Sequence, residues 1–251
     1  MLIAGRHFAR IRFRARPSAE PIPIPGVCTR SDARCGMDFQ SFPTFDAAFC
    51  ARLDDLFAWR RDVRRFREVP LEDARVDELL AIACRAPSVG NCQPWRFVKV
   101  KNLAARAAVQ ANFAACNRRA LDAYEGQQAE LYARLKLSGL DRAPVQLAVF
   151  ADPDPAAGHG LGRGTMPETV VHSVVLAIHT FWLAARARGI GVGWVSILEP
   201  EDVAQALGVP PAWRLVAYLC VGWPEEAHLD PELERHGWQA RADFARFVSE
   251  V

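Results

Sequence analysis

The sequence predicts an α/β or α+β sandwich, a sheet packed against helices around one core. Three observations carry this. Short runs of strand composition are interspersed among longer helical periodicities. Val145 to Phe150 is apolar without a break, which suits a strand covered on both faces. Glu168 to Arg188 is long and very apolar, as expected of a central or interface helix.

The elements follow in order. Phe45, Phe49, Leu53, Leu56 and Phe57 recur at helical spacing, so residues 44–59 form an amphipathic helix. Leu71 to Arg85 is a second, with Val76, Leu79, Leu80 and Ala83 on one face and Pro87 as its stop. Trp95 to Val100 is a short strand, and Leu103 to Ala123 an Ala-rich helix. Gly126 to Ser138 continues as another helix, followed by the Val145–Phe150 strand. Residues 151–167, rich in Pro and Gly, form a long loop. The apolar helix follows, with Thr165 a candidate N-cap and Gly189 closing it. Val192 to Leu198 and Leu215 to Val221 are strands, separated by a helix over Pro200 to Leu207.

A chain of 251 residues suits one domain with a substantial core, or one domain plus extensions. Its 51% apolar and 24% charged residues are ordinary for a soluble globular protein. The net charge of +2 makes no case for a nucleic-acid partner. Residues 1–36 carry seven Arg against Glu20 and Asp32, so that segment stands at +5 and the remainder at −3. This basic segment contains Pro21, Pro23 and Pro25 and reads as a disordered extension over residues 1–42, or as sequence upstream of a true start at Met37. The folded domain spans 43–241, and 242–251 form a tail. The seven Cys are widely spaced with no CxxC pair, which argues against a zinc site and fits a reduced, cytoplasmic compartment. The apolar stretch Val170 to Ala185 is interrupted by His172, Ser173, His179 and Thr180, so a membrane span is not expected.

Four clusters carry chemistry. Arg60, Arg61, Arg64, Arg65 and Arg67 crowd eight residues around Asp62; guanidinium forks bind phosphate bidentately, although a solvated basic face has the same composition. The loop Ala86–Trp95 presents Ser88, Asn91 and Gln93 to a polar ligand, or simply connects a helix to a strand. Gly189, Gly191 and Gly193 let a backbone approach closely, but lie between a helix and a strand in the wrong order for a dinucleotide fingerprint. Ser196 lacks a nucleophile elbow. The fourth is Val221-Gly222-Trp223-Pro224, followed by Arg235 and His236. His172 and His179 are seven apart on the apolar helix and read as core or interface residues; no metal site is expected.

Together, the Arg-Arg-x-x-Arg-x-Phe opening, the Pro-Ser-x-x-x-x-Gln-Pro-Trp loop, the Gly-x-Gly strand and the late Val-Gly-Trp-Pro resemble the flavin-dependent nitroreductase superfamily. More narrowly, the chain resembles the branch that makes 5,6-dimethylbenzimidazole. That likeness runs from about Phe45 to Arg241 and rests on Arg60 to Arg64, Tyr132 to Leu137, Gly158 to Arg163, Thr165 to Thr169 and Gly193 to Leu198. Asp62 stands where ordinary nitroreductases usually carry Ser.

The resemblance implies an α+β nitroreductase-like fold, with a mixed central sheet flanked by helices in a domain-entwined homodimer that binds FMN at its interface. It places Arg60, Arg61 and Arg64 near the phosphate and ribityl chain, with Arg235 also reaching the phosphate. Ser88 is contributed by the neighbouring subunit. Ser196, Ile197 and Leu198 lie on the strand passing the flavin ring near N5. The implied reaction fragments bound reduced FMN with molecular oxygen. C1′ of the ribityl chain becomes C2 of the benzimidazole, and the remaining sugar leaves as erythrose 4-phosphate. Asp62 is the implied general base, kept ionised by its Arg neighbours, or else only an ion-pair partner of Arg64 or Arg65. Residues 151–167 would be a lid whose glycines permit movement. No nicotinamide site is recognisable, so a separate flavin reductase is expected to supply reduced FMN. The competing expectations are an NAD(P)H-dependent nitro- or quinone reductase, and a non-catalytic flavin-binding protein.

Overall fold

The computed structural model describes residues 43–251. The expected disordered extension over 1–42 lies outside the described residues. The chain divides into two units, Met1–Cys50 and Ala51–Val251. In the first, the Phe49 N–H donates to Asp46 Oδ1 at 2.7 Å and Phe45 stacks on Phe49. Helix α1 (Ala47–Trp59) begins there and ends in the second unit. Its apolar residues follow the expected spacing, yet none is buried.

The second unit is built on four strands, β1 (Trp95–Lys99), β2 (Val145–Ala151), β3 (Gly191–Val195) and β4 (Arg214–Gly222). They pair in the order β1-β2-β4-β3, and every pairing is antiparallel. The parallel component is a single bridge between Asp62 and Val192, on the open edge of β3.

Strand alternation sorts the core into two layers. From β2, Leu147, Val149 and Ala151 face α2 (Asp73–Ala83) and α5 (Thr169–Arg186); Ala148 and Phe150 face α3 (Leu103–Asp122) and α6 (Pro200–Leu207). Both sets are buried, which is why this strand reads as a continuous apolar run. Gln146 is the buried polar exception on β2. It accepts from the Tyr218 hydroxyl at 2.7 Å and donates to the Leu140 carbonyl at 2.9 Å, so its desolvation is compensated. Helix α4 (Gly126–Arg134) joins α3 through the Tyr132 hydroxyl on Asn117.

Several boundaries differ from expectation. The helix after Gly126 stops at Arg134, because Leu135 turns to extended backbone (ψ 133°). The β3 ladder stops at Val195, short of the expected Leu198. Thr165 does not cap α5; the flanking residue is Glu168, and no side chain caps the helix. Gly189 (φ +72°) does turn the chain out of α5, with its N–H on the Arg186 carbonyl. By length and hydropathy α5 does reach what a membrane crossing requires, contrary to expectation, but half of that stretch is buried in the core. Not anticipated were the short helix α7 (Glu232–Arg235) and the 3₁₀ turns at Val89–Asn91 and Phe244–Phe247.

Candidate functional site

After α1 the chain runs extended along the outer edge of β3. The Val63 N–H donates to the Val192 carbonyl at 3.0 Å, Phe66 bridges Pro224, and the Arg67 N–H reaches the Trp223 carbonyl. Buried Phe66 anchors the segment. The glycines of β3 make this docking possible. A Cβ on Gly193 would sit 2.1 Å from the Val63 carbonyl oxygen, and one on Gly191 would meet the Val63 side chain at 2.9 Å. The close approach expected at these glycines is therefore to the chain's own backbone.

An extended backbone sends alternate side chains to opposite sides. Arg61 and Arg65 turn toward residues 226–232, while Asp62 and Arg64 pair with each other. Asp62 Oδ1 accepts the Trp194 N–H at 2.8 Å, and Oδ2 meets Arg64 Nε at 2.8 Å. Arg64 also donates through Nη1 to the Lys136 carbonyl at 2.9 Å. The Asp62 side chain remains 31% exposed, so a ligand can still reach it. Burial pushes its carboxyl above the ordinary value, against the opposing pull of Arg64 and the Trp194 N–H. The expectation that neighbouring arginines would hold it down is thus corrected: desolvation outweighs the one guanidinium that touches it.

Four arginines of this segment and the distant Arg235 have different fates. Arg64 is paired with Asp62, and Arg65 with Glu226 and Glu232 at 3.1 and 2.8 Å. Arg235 is paired with Asp230 at 3.3 Å. Arg60 lies 5.0 Å from the Trp182 ring centroid. Arg61 donates to its neighbour's carbonyl at 2.6 Å and to that of Leu229. Among the described residues neither Arg60 nor Arg61 forms an ion pair. Burial, then the charges of Arg241 and Arg60, push the Arg61 guanidinium below its ordinary value. The carboxylates of Asp230 and Glu234 pull the other way without reversing it.

Arg61, Asp62, Arg64 and Arg235 line one cavity with Trp59 and Trp182, of about 40 Å³. That is room for a few waters, not a flavin ring. Ser88 lies elsewhere: its Oγ accepts the Gln93 N–H, and the next residue's N–H is held by Ser173 Oγ at 3.0 Å, toward the N-terminus of α5. Trp182, beside Arg60 and Arg61, is nine residues further along α5, about 13 Å at 1.5 Å per residue. One chain therefore separates Ser88 from Asp62. Ser196 is exposed just past β3, with half-buried Ile197 and Leu198 in the link to α6 rather than on a strand.

The loop over 151–167 is largely exposed but touches the Ser88 loop at two glycines. Gly158 and Gly162 have φ of +82° and +78°, and a Cβ on either would fall 2.7 Å from Cys92 or Val89. Gly158 and Gly162 pack closely against the Ser88 loop, whereas at Gly160 nothing lies within 4 Å of where a Cβ would stand and at Gly164 only the Gly160 carbonyl oxygen does, at 3.7 Å. His172 and His179 are exposed on α5. Among the described residues no group of three or more His, Cys, Asp or Glu is placed to hold a metal. Residues not anticipated for the site are Trp182, the Trp194 N–H and the Lys136 carbonyl. The Tyr132–Leu137 motif was the signal for the last.

The Nitroreductase family matches residues 57–223. The chain is 58% identical over 199 residues to 5,6-dimethylbenzimidazole synthase of Rhodospirillum rubrum, covering 79% of this chain and 94% of that one. It is 54% identical over 187 residues to 5,6-dimethylbenzimidazole synthase of Rhodobacter capsulatus, covering 74% and 90%. Among solved structures, an iodotyrosine deiodinase bound to FMN and 3-iodo-L-tyrosine superposes with a TM-score of 0.57 at 27% identity, over 70% of this chain and 91% of that one.

Proposed function

The chain belongs to the nitroreductase family, within its 5,6-dimethylbenzimidazole synthases, and we propose from that premise that it forms 5,6-dimethylbenzimidazole from reduced FMN and molecular oxygen. The observation that carries this reading is near-full-length similarity to the Rhodospirillum rubrum synthase. Asp62 adds a specific chemical reason, because a carboxylate at the edge of a cationic pocket can move a proton on a ligand that the pocket anchors by its phosphate.

The residues present fit a flavin phosphate. Arg60 and Arg61 form no direct ion pair among the described residues, and Arg61 is already fixed by backbone carbonyls. Arg235 joins them by exchanging Asp230 for the phosphate. Reduced flavin supplies the reactivity toward oxygen and the dimethylated ring. Asp62 accepts a proton at the ribityl carbon, and its raised carboxyl value brings its basicity nearer to neutral pH. Ser196, exposed at the β3 end, donates a hydrogen bond near flavin N5, with Ile197 and Leu198 beside it.

The active unit is a homodimer. The outer face of α5 presents His172, Val175, Leu176 and His179 at helical spacing, with Val175 and Leu176 38% and 45% exposed. A two-fold partner seated there supplies a second Ser88 loop to the Asp62 end. Reduced FMN comes from a separate flavin reductase. The free, buried Cys92, Cys116 and Cys220 suit a reducing cytoplasm.

The test is a product chromatogram after protein, reduced FMN and oxygen are mixed. The expected result is 5,6-dimethylbenzimidazole in proportion to FMN lost. Steady NADPH-driven nitroreduction with FMN recovered mole for mole would instead establish an ordinary nitroreductase. Re-oxidation without fragmentation would establish a flavin-binding protein.

A further inference from the structure

We infer that Asn112, midway along α3, is a positioning residue for the link Ser196–Leu198, which it holds at the far end through the Glu199 N–H. The inference rests on the reading of Ser196 as the hydrogen-bond donor near flavin N5. The β3 ladder ends with Val195 opposite Tyr218. Beyond Val195, among the described residues, the backbone makes its next hydrogen bond at Glu199, whose N–H donates to Asn112 Oδ1 at 2.9 Å. Between these two points Ser196 is exposed and Ile197 half-buried, and Leu198 leans on the core layer of Ala148 and Phe150. The sheet therefore holds one end of the link and α3 the other.

The helix itself has no need of an Asn at this place. Val109 and Cys116, three residues before and four after, are buried, so Asn112 sits on the inward side of α3, where an apolar residue is the ordinary choice. Both ends of its amide are used. Oδ1 accepts the Glu199 N–H, and Nδ2 donates to Asp202 Oδ2 at 3.5 Å, in the first turn of α6. A donor on one side and a carboxylate on the other fix which way the amide faces. The second tie to Glu199, from Arg119 to its carboxylate, joins side chains 62% and 49% exposed and adds little. Asn112 is thus the main polar restraint on a backbone three residues beyond Ser196. A displacement of about 1 Å at a reacting group is enough to slow chemistry without abolishing binding.

The experiment uses the full chain as wild type, Asn112→Ala, Ser196→Ala and the double variant. Ala is a good helix former, so α3 should persist. The Ile197 methyl resonance is recorded without flavin. FMN affinity, the single-turnover rate of product formation and the nitrogen-15 resonance of N5 in bound labelled FMN are then measured. Asn112→Ala should shift the Ile197 methyl and move N5 in the direction that Ser196→Ala moves it. Product formation should slow by about 10–100-fold, with FMN affinity changed less than about threefold. In the Ser196→Ala background the same substitution should cost less than about twofold, because its effect passes through Ser196. Asn112→Asp combined with Asp202→Asn keeps an acceptor for Glu199 and a bond to α6, and should recover most of the rate. Equal slowing with and without Ser196 overturns the inference, as does an N5 resonance that Ser196→Ala moves and Asn112→Ala does not. If Ser196→Ala leaves both rate and N5 unchanged, the Ser196 reading fails and the positioning role with it. If wild type makes no 5,6-dimethylbenzimidazole, the proposed function fails, while the Ile197 and N5 resonances still test the coupling.

Discussion

The two ends of α5 hold different groups of the residues proposed to bind one flavin. Near its C-terminal end, Trp182 donates to the Arg61 carbonyl, and the Arg60–Arg64 segment is docked, hydrogen-bonded and charged within a single chain. Near its N-terminal end, Ser173 holds the Ser88 loop, which packs against Gly158 and Gly162 and contacts none of those charges. Between them the outer face of the helix is apolar and open. The fold is complete in one chain, but the groups assigned to one flavin lie at opposite ends of a rigid rod. A two-fold copy would bring unlike ends together.

The strongest way to break this picture is at Asp62. Asp62→Asn keeps the shape and the Trp194 contact but removes basicity. Product should fall by roughly 10²–10⁴-fold, with FMN binding and re-oxidation by oxygen retained. Product at the wild-type rate would leave Asp62 an ion-pair partner of Arg64 only.

A charge on the α5 outer face tests the other half of the comparison. Leu176→Arg should yield a folded chain of 27.8 kDa by light scattering where wild type gives twice that mass. Product should drop by at least tenfold, because burying an unpaired charge costs several kcal/mol. A fully active monomer would sink the dimeric site.

A sharper version mixes two inactive proteins. If Asp62 and Ser88 of one site come from different chains, a mixed dimer of Asp62→Asn and Ser88→Trp has one intact site. Random exchange should then restore roughly a quarter of wild-type sites. No recovery after verified exchange would assign both residues to the same chain.

Gly193→Ala probes the docking of the segment on β3. Its Cβ cannot coexist with the Val63 carbonyl at 2.1 Å. Thermal unfolding should reveal a loss of about 1–3 kcal/mol. An unchanged Tm would mean that the segment shifts freely. The smallest effect is expected from a chain beginning at Met37, which should keep full product formation; loss of soluble protein would overturn that expectation.

Much of the fold was legible because its signals are local. Pro200 at the first turn and Gly208 in the left-handed conformation (φ +62°) bound α6, and its predicted range matches. The unbroken apolar run of β2 announced burial on both faces. The ends of α4 and β3 were not legible, because distant partners decide them. Leu135 leaves the helix near Arg64, 71 positions away, and Ser196 to Leu198 leave β4 although that strand continues past Tyr218 to Arg214.

The candidate site divides in the same way. Sequence alone determined which residue types were present: an arginine-rich segment around one Asp, and glycines where a backbone must come close. Only the tertiary structure decided their partners and the direction in which burial moves Asp62. Glu226 and Glu232, brought in from some 160 positions away, pair with Arg65, while Arg60 and Arg61 are left without an ion pair among the described residues. Burial raises Asp62 where its neighbours in sequence argued for the reverse. Propensity acts over a few residues of chain, whereas desolvation and ion pairing depend on what lies within a few ångströms, and folding chooses those neighbours without regard to sequence distance.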